Sequence, residues 1–250
     1  MVPLGGTSEK SLFILKDAPF QSVESAWFWI DSGPGDAATN MAIDQTLLDE
    51  ASRLSAPILR FYGWTQPSAS FGYFQHFDEI ASMTPLRPLV RRPTGGGLVL
   101  HDRDWTYSVV FPRSHSWFEL TARESYQKIH EWLRKALALS GVTTDLCLSR
   151  KQGENGVCFL GAEVADLLQN DRKVAGAAQR RNATGLLIQG SLTPSKDWPD
   201  RDHWQQSMRQ VLTIQQGVNW CLWIEDSAFT SLVQDLSKHR FGSDVFTRKR

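Results

Sequence analysis

Apolar residues in the first half of the chain recur at spacings that predict one helix followed by a set of short strands. Between Asp36 and Leu54 the spacing is close to helical, and Pro57 closes the predicted helix. Runs rich in apolar residues on either side of the turn-forming pair Gln66-Pro67 predict two strands. The strands predicted in this half are Ile58–Trp64, Ser68–Tyr73, Leu89–Arg92, Leu98–Leu100 and Thr106–Phe111.

The second half opens with a helix signal and continues with strands. Thr121 and Glu124 have the spacing of a capping box, an apolar stripe follows at helical intervals, and Gly141 predicts the end of the helix. From Asp202 onward the pattern again predicts helix. The strands predicted between these helices are Val157–Phe159, Glu163–Leu168, Arg172–Arg181 and Gly185–Leu192.

Strands outnumber helices and come in hairpin-length pairs. This pattern predicts an α+β fold with mixed α/β layers, in which a mixed, mostly antiparallel sheet carries the two central helices on one face. The 250 residues suit one domain. We expect residues 1–22 to be a loosely ordered lead-in and residues 23–250 to form a single domain.

Composition excludes several classes of function. Lys and Arg number 27 and Asp and Glu also 27, so the chain has no net field for nucleic acid or for a membrane surface. No apolar run approaches 18 residues, and residues 1–10 lack the apolar core of a signal peptide. The three cysteines show no CxxC spacing, as expected for reduced thiols. We therefore expect a cytoplasmic protein that binds neither membranes nor nucleic acid.

Residues 91–102 contain the most informative motif of the chain. Three consecutive glycines, Gly95 to Gly97, follow Arg91 and Arg92 and precede His101. A loop without side chains lets a ligand lie against backbone N–H groups, while flanking arginines suit a carboxylate or phosphate. A plain hairpin turn is the simpler alternative, but a turn needs only a Gly-Gly pair. We therefore favour a binding loop.

Cys158 and Lys173 are candidate catalytic residues. A thiol of pKa ~8.5 is only a few per cent thiolate at pH 7, and a nearby ammonium increases that fraction. Lys173 supplies this charge if the strands Val157–Phe159 and Arg172–Arg181 are neighbours. A small buried hydrophobe is the alternative for a lone cysteine and a solvated charge the alternative for the lysine. The small apolar run Val174–Ala178 argues against a wet surface at Lys173.

Other catalytic and metal-binding patterns are missing from the sequence. There is no phosphate loop of the form GxxxxGK[ST], no HExxH and no GxSxG, and the six histidines lack metal-ligand spacing. We expect no metal site, and His101 is better interpreted as a hydrogen-bonding residue of the binding loop.

Four ordered motifs carry a resemblance to a known family. The string Arg-Arg-x-Thr-Gly-Gly-Gly-x-Val-x-His-Asp, with Thr94 as its threonine, resembles the ligand loop of the lipoate ligase and octanoyltransferase family. The three other motifs are Asn40–Asp44, Leu59–Trp64 with Gly72–Gln75, and Arg172–Arg181 with Gln189–Ser191. The resemblance spans roughly residues 27–195 and is closest to the cysteine-dependent octanoyltransferase branch.

The resemblance implies a fold and a set of roles. The fold is that of biotin and lipoate ligases, with a core like that of class II synthetases. Cys158 would become an acyl-thioester, and Lys173 would tune the thiol or contact a carboxylate and phosphate. The donor site would comprise Arg91, Arg92, Thr94, Gly95, Gly96, Gly97 and His101, with backbone N–H groups of Val174, Ala175 and Gly176 as oxyanion donors. Family members commonly have Gly at the position of Asp171, which leaves the turn before Lys173 in question.

The function implied is transfer of an octanoyl or lipoyl group from an acyl-carrier protein, through Cys158, to a lysine of a lipoyl domain. That domain would belong to a 2-oxoacid dehydrogenase or to the glycine cleavage H protein, and no cofactor is needed. An ATP-dependent lipoate ligase, which uses ATP and Mg, is the first alternative. Fewer than sixty residues follow Ser191, which we interpret as too few for the accessory domain of a ligase. A pseudoenzyme that only binds lipoyl domains is the second alternative.

Overall fold

The computed structural model describes residues 26–54, 56–150 and 161–249, and two sheets organise them. The strands are β1 (Ala26–Gly35), β2 (Ile58–Trp64), β3 (Ser68–Phe71), β4 (Leu89–Arg91), β5 (Val99–His101), β6 (Trp105–Pro112), β7 (Asp145–Leu146), β8 (Leu167–Gln169), β9 (Arg172–Arg181), β10 (Gly185–Leu192) and β11 (Asn219–Leu222). The helices are α1 (Ala37–Asp49), α2 (Ala51–Leu54), α3 (Phe77–Met83), α4 (Ala122–Leu139), α5 (Arg201–Gln216), α6 (Ser227–Leu236) and α7 (Asp244–Thr247).

The large sheet has the strand order β11-β1-β2-β6-β10-β9-β8-β7. Its β11-β1 and β1-β2 pairs are parallel, and the others are antiparallel. A mixed, mostly antiparallel sheet was predicted, and this is confirmed. The small sheet, in the order β4-β3-β5, holds the glycine loop between β4 and β5.

Helices cover both faces of the large sheet, so the prediction that the two central helices share one face is wrong. Side chains of α4 and α5 pack with Leu59 and Ile188. Side chains of α1 and α6 pack with the adjacent strand residues, Ile58 and Leu187. Successive strand residues point to opposite faces, and here both sets are apolar, so each face needs its own layer of helices.

Several elements begin and end where the sequence predicted. The strands β2, β9 and β10 have the predicted bounds. The capping box is present, because the Thr121 side chain accepts from the Glu124 N–H and the Glu124 carboxylate accepts from the Thr121 N–H. Gly141 follows α4 with φ +78°, a conformation that glycine adopts without strain.

Four elements were missed. The sequence did not predict β1, α3 or β7, and the chain after Asp202 is not wholly helical, because β11 pairs with β1. With only four residues, β11 shows too little periodicity to be distinguished from its helical surroundings. The predicted strand Val157–Phe159 and the predicted lead-in 1–22 lie outside the described residues. Within the described ranges, no helix is long and apolar enough to cross a membrane.

Candidate functional site

A cavity of about 620 Å³, its open mouth included, lies between the small sheet and the large sheet. Both sheets contribute, with Ser70 and His101 on one side and Gly176 to Ala178 on the other. The lining residues are Met41, Tyr62, Trp64, Ser70, Arg92, Gly96, Gly97, Leu98, Val99, His101, Thr106, Lys173, Gly176, Ala177, Ala178, Gln189, Gly190 and Ser191. Short apolar side chains therefore share this cavity with one lysine and several hydrogen-bonding groups.

The glycine loop forms one wall, and Arg92 holds it in place. The Arg92 guanidinium donates to the carbonyl oxygens of Gly95 at 2.6 Å and of Gly97 at 2.7 Å. Gly96 has φ +80°, and a Cβ there would lie 2.9 Å from Arg92 Nη2. Gly72 passes so close that a Cβ there would overlap the carbonyl oxygen of Gly96. Gly96 is thus required for its backbone angle, and Gly72 is required because the loop packs against it.

Among the described residues, Arg91, Thr94 and Gly95 do not line the cavity. The Arg91 side chain is fully buried and donates to the backbone oxygens of Tyr73, Gln75 and Thr247, and it is absent from the described residues that line the cavity. Thr94 is buried behind the loop and donates to Gln189 Oε1 at 2.7 Å. Gly95 does not line the cavity among the described residues either. The ligand contacts expected of these three residues stay predictions.

A buried ion pair lies behind Gln189. Asp44 and Arg60 have no exposed side-chain surface, and Arg60 Nη1 lies 2.8 Å from Asp44 Oδ1. The same carboxylate accepts from Gln189 at 2.7 Å, Ser108 at 2.6 Å and Tyr62 at 3.2 Å. Burial, and then the Asp44 charge, raise the pKa of Tyr62 well above its usual value, so the phenol stays a donor. This network fixes Gln189 and Tyr62 where they line the cavity.

Lys173 is held by a second buried carboxylate. Its Nζ lies 2.7 Å from Asp166 Oδ2, with 15% of the Lys173 side chain exposed and none of Asp166. Tyr126 donates its phenolic hydrogen to Asp166, and the Glu163 N–H donates to Asp166 Oδ2 at 2.7 Å. Burial of the phenol, followed by the charge of Asp166, raises the pKa of Tyr126. The ammonium therefore has a defined position at the cavity wall.

Two backbone features present Lys173. Asn170 and Asp171 have φ values of +50° and +61°, so they adopt the left-handed turn that glycine favours, and Asn and Asp tolerate it. Asp171 thus preserves the hairpin between β8 and β9. Gly176 lies beside the lysine, and a Cβ there would be 2.8 Å from Lys173 Cε.

The neighbouring positions of β9 divide between core and cavity. Val174 and Ala175 are buried in the hydrophobic core, whereas Gly176, Ala177 and Ala178 line the cavity. The short side chains at these three positions leave room along this wall of the cavity, and the slot expected there for a linear acyl chain stays a prediction. The oxyanion role of the Val174–Gly176 backbone stays a prediction. Cys158 lies outside the described residues. Its predicted approach to Lys173 therefore stays a prediction.

His101 belongs to a hydrogen-bonded chain on the wall formed by the small sheet. Its Nε2 lies 2.8 Å from Ser70 Oγ, and its Nδ1 lies 2.7 Å from Asp104 Oδ2. The Trp64 indole stacks on the imidazole, with ring centroids 3.8 Å apart. Trp64 Nε1 also donates to Thr106 Oγ1 at 2.9 Å. The imidazole is thus fixed in plane and in orientation.

The sequence analysis gave no site role to the charged residues Asp44, Arg60, Asp104 and Asp166. Asp44 and Arg60 did give a signal, because each interrupts an apolar run with a charge. Unpaired charges are almost never fully buried, so two such interruptions indicate a buried pair. No group of three or more His, Cys, Asp or Glu side chains in the described ranges is placed to hold a metal ion.

The sequence profile of the lipoyl protein ligase A/B catalytic domain matches residues 36–238. A curated relative, octanoyltransferase LipM of Carboxydothermus hydrogenoformans, is 38% identical over 177 residues. That match covers 68% of this chain and 66% of the relative, so the chain spans a little under two thirds of the relative's length.

Two solved structures show the same fold. A putative lipoate protein ligase from T. acidophilum with bound lipoic acid has a TM-score of 0.72 at 19% identity, over 90% of this chain and 99% of that one. A bi-partite lipoate protein ligase of Thermoplasma acidophilum, solved in a study of that enzyme and its E2 lipoyl domain, has a TM-score of 0.67 at 19% identity. It covers 90% of this chain and 96% of that one. The expected lipoate ligase-like fold is confirmed.

Proposed function

Because the chain belongs to the lipoyl protein ligase A/B catalytic domain family, we propose that it is an acyltransferase of protein lipoylation. It moves an octanoyl group, or a lipoyl group, from an acyl-carrier protein to a lysine of a lipoyl domain. We place the reaction in the cytoplasm, where the thiol of Cys158 stays reduced.

The geometry around Lys173 carries the proposal. An ammonium ion-paired to a buried carboxylate lines a cavity whose adjacent wall is Gly176, Ala177 and Ala178. An acyl chain fits against small apolar side chains by shape and apolar area. The fixed positive charge favours a thiolate or a developing oxyanion close to the acyl carbonyl.

The reaction has two steps. In the first, the thiolate of Cys158 attacks the thioester carbonyl of the donor. A new C–S bond forms, the C–S bond to the carrier breaks, and the carrier sulfur leaves as a thiolate. In the second, the lysine amine of the lipoyl domain attacks the enzyme thioester. The C–N bond forms, the Cys158 thiolate leaves and the amine loses a proton.

Two findings about similar proteins favour different readings of the chemistry. The relative at 38% identity is named an octanoyltransferase, which favours transfer from a thioester without nucleotide. The solved structures with the same fold are named ligases, which favours the ATP-dependent alternative. The higher sequence similarity supports the transferase. The pairing of the bi-partite Thermoplasma ligase with its E2 lipoyl domain supports a lipoyl domain as acceptor.

Intact-mass spectrometry tests the proposal. The protein is incubated with octanoyl-carrier protein and with no nucleotide, and we expect one hydroxylamine-labile octanoyl adduct on Cys158. Cys158→Ala removes adduct and turnover, whereas Cys147→Ala and Cys221→Ala are the matched controls and retain both. Turnover in Cys158→Ala would refute the thioester mechanism.

A second assay separates transferase from ligase. The protein is given free lipoate, ATP and Mg together with a lipoyl domain, and we expect no lipoylation. Lys173→Ala should slow uptake of octanoyl most near neutral pH, with partial recovery at high pH as Cys158 ionises unaided. Nucleotide-dependent lipoylation with Cys158 unmodified would establish the ligase alternative.

A further inference from the structure

Three cationic side chains from distant parts of the sequence meet around two aromatic rings, 6.4 Å apart, of Tyr73 and Phe246. Lys249 Nζ lies 3.8 Å from the centroid of the Tyr73 ring and 4.6 Å from that of Phe246. Arg180 Cζ lies 5.5 Å from the Tyr73 centroid. Arg240 Cζ lies 4.9 Å from the Phe246 centroid. Lys249 is exposed and the two arginines are half-buried, and we call these three residues the basic cluster.

The charges of the basic cluster oppose one another. Burial, followed by the charge of Arg180, lowers the pKa of Arg240, so the charged form of Arg240 is disfavoured there. A hydrogen bond with Lys249, and then the charges of the whole cluster, lower the pKa of Tyr73. Among the described residues, no carboxylate forms an ion pair with any of the three cations. The chain as a whole balances 27 basic against 27 acidic residues, so this excess of positive charge is local and complements an acidic partner.

The basic cluster adjoins the cavity at the glycine loop. Ala178 lines the cavity, and Arg180 lies two residues further along β9, so both side chains point to the same face of the sheet. Arg180 Nη1 also donates to the carbonyl oxygen of Pro93 at 3.2 Å, and Pro93 immediately precedes the start of that loop. A macromolecule that reaches into the cavity from this side therefore passes the cluster.

Of the two partners in the proposed reaction, only the donor brings an anion on the group that it delivers. An acyl-carrier protein holds its acyl group on a phosphopantetheine arm, and a phosphodiester joins that arm to the protein. When the acyl end lies in the cavity, the phosphodiester stays on the protein side of the arm. The acceptor delivers a lysine side chain, which carries no negative charge. Lysine and arginine side chains bind phosphate oxygens through charge-assisted hydrogen bonds.

Resting on the proposed function, we infer that the basic cluster docks the donor acyl-carrier protein by binding the phosphodiester of its arm and the acidic side chains around it. The aromatic rings hold the cations at the surface, and arginines and aromatic side chains are enriched in protein interfaces. Complementary charge at such a surface speeds association and selects the partner.

The test measures binding of three labelled partners by fluorescence anisotropy: the carrier protein with its arm, the carrier protein without it, and a lipoyl domain. Wild type is compared with Lys249→Gln, with Arg240→Gln and with the double variant. Arg134→Gln is the matched control, because Arg134 is exposed on α4, which covers the opposite face of the large sheet from α6. Urea unfolding reports the stability of each variant.

We expect the double variant to bind the carrier protein with its arm about tenfold or more weakly than wild type does. The difference should shrink at about 1 M salt, where charges are screened beyond about 3 Å. Binding of the carrier without its arm should weaken less, and binding of the lipoyl domain should not change. The urea midpoint of Lys249→Gln should stay the same or rise, because repulsion within the cluster is relieved.

Carrier binding in the double variant equal to that of Arg134→Gln would refute the inference. Weaker binding of the lipoyl domain alone would assign the surface to the acceptor, and a lower midpoint with equal losses for all partners would show that the cluster only supports the fold. The proposed function is tested separately by octanoyl transfer. Carrier binding that depends on the cluster, without transfer in wild type, would refute the proposed function and not the docking surface. Transfer with an unchanged KM for the carrier in the double variant would refute the docking surface alone.

Discussion

Replacing Asp44 by Asn should cost the protein a large part of its stability. The substitution keeps the shape of the side chain and removes the charge that pairs with Arg60 at 2.8 Å, where neither side chain is exposed. The amide of the new Asn would also meet the Gln189 amide, which now donates to Asp44 at 2.7 Å. Breaking a buried pair by removing one partner costs about 3–5 kcal/mol. Domains have only about 5–15 kcal/mol of unfolding free energy in total.

Urea unfolding measures this loss as the product of the m-value and the shift in midpoint. The control is Asp31→Asn, since the Asp31 and Arg201 side chains are 30% and 27% exposed and such pairs contribute about 1 kcal/mol or less. Asp44→Asn combined with Arg60→Met should recover part of the stability, because no charge then stays buried alone. A loss in Asp44→Asn no larger than that of the control would refute the argument from burial.

Three further predictions concern the loop, a titrating side chain and a helix cap. Gly96→Val should reduce octanoyl transfer sharply with unchanged circular dichroism, because φ is +80° and the added Cβ lies 2.9 Å from Arg92 Nη2; unchanged kinetics would mean that the loop is only a turn. Burial, with a smaller effect of Lys128, lowers the pKa of His115 from 6.5 to about 4. Between these two pKa values the unfolded chain binds more protons than the folded one, so the unfolding free energy should fall as the pH falls from 6.5 to about 4. In His115→Gln the urea midpoint should depend less on pH over this range. An unchanged pH dependence in that variant would contradict the assignment. Asp226→Ala removes the cap that accepts from Phe229 N at 2.7 Å and should lower the unfolding free energy by about 1 kcal/mol, and no shift in midpoint would show that α6 does not depend on it.

Local signals were sufficient for part of this protein. The alternation and turn residues around β9 and β10 determined their bounds, and the capping box determined the start of α4. Each depends on contacts between residues close in sequence. The run of glycines likewise indicated a special backbone, and the structure gives Gly96 φ +80°.

Tertiary contacts decided the rest. Arg91 and Arg92 are adjacent and chemically equal in the sequence, yet one is buried on backbone oxygens away from the cavity and the other holds the glycine loop. Strand alternation sends neighbouring side chains to opposite faces, and only packing sets what each face meets. Asp166 reaches Lys173 only because β8 and β9 pair as a hairpin.

The sequence by itself therefore determined the strands β9 and β10, the glycine loop, the family, and Lys173 as a candidate residue. Only the fold decided which polar and charged groups are buried together, since Asp44 reaches Gln189 across 145 residues and Arg60 across 16. A buried charge is tolerated only next to its partner, and that partner is chosen by the crossing of α1 with the sheet. Spacing along the chain carries no record of that crossing.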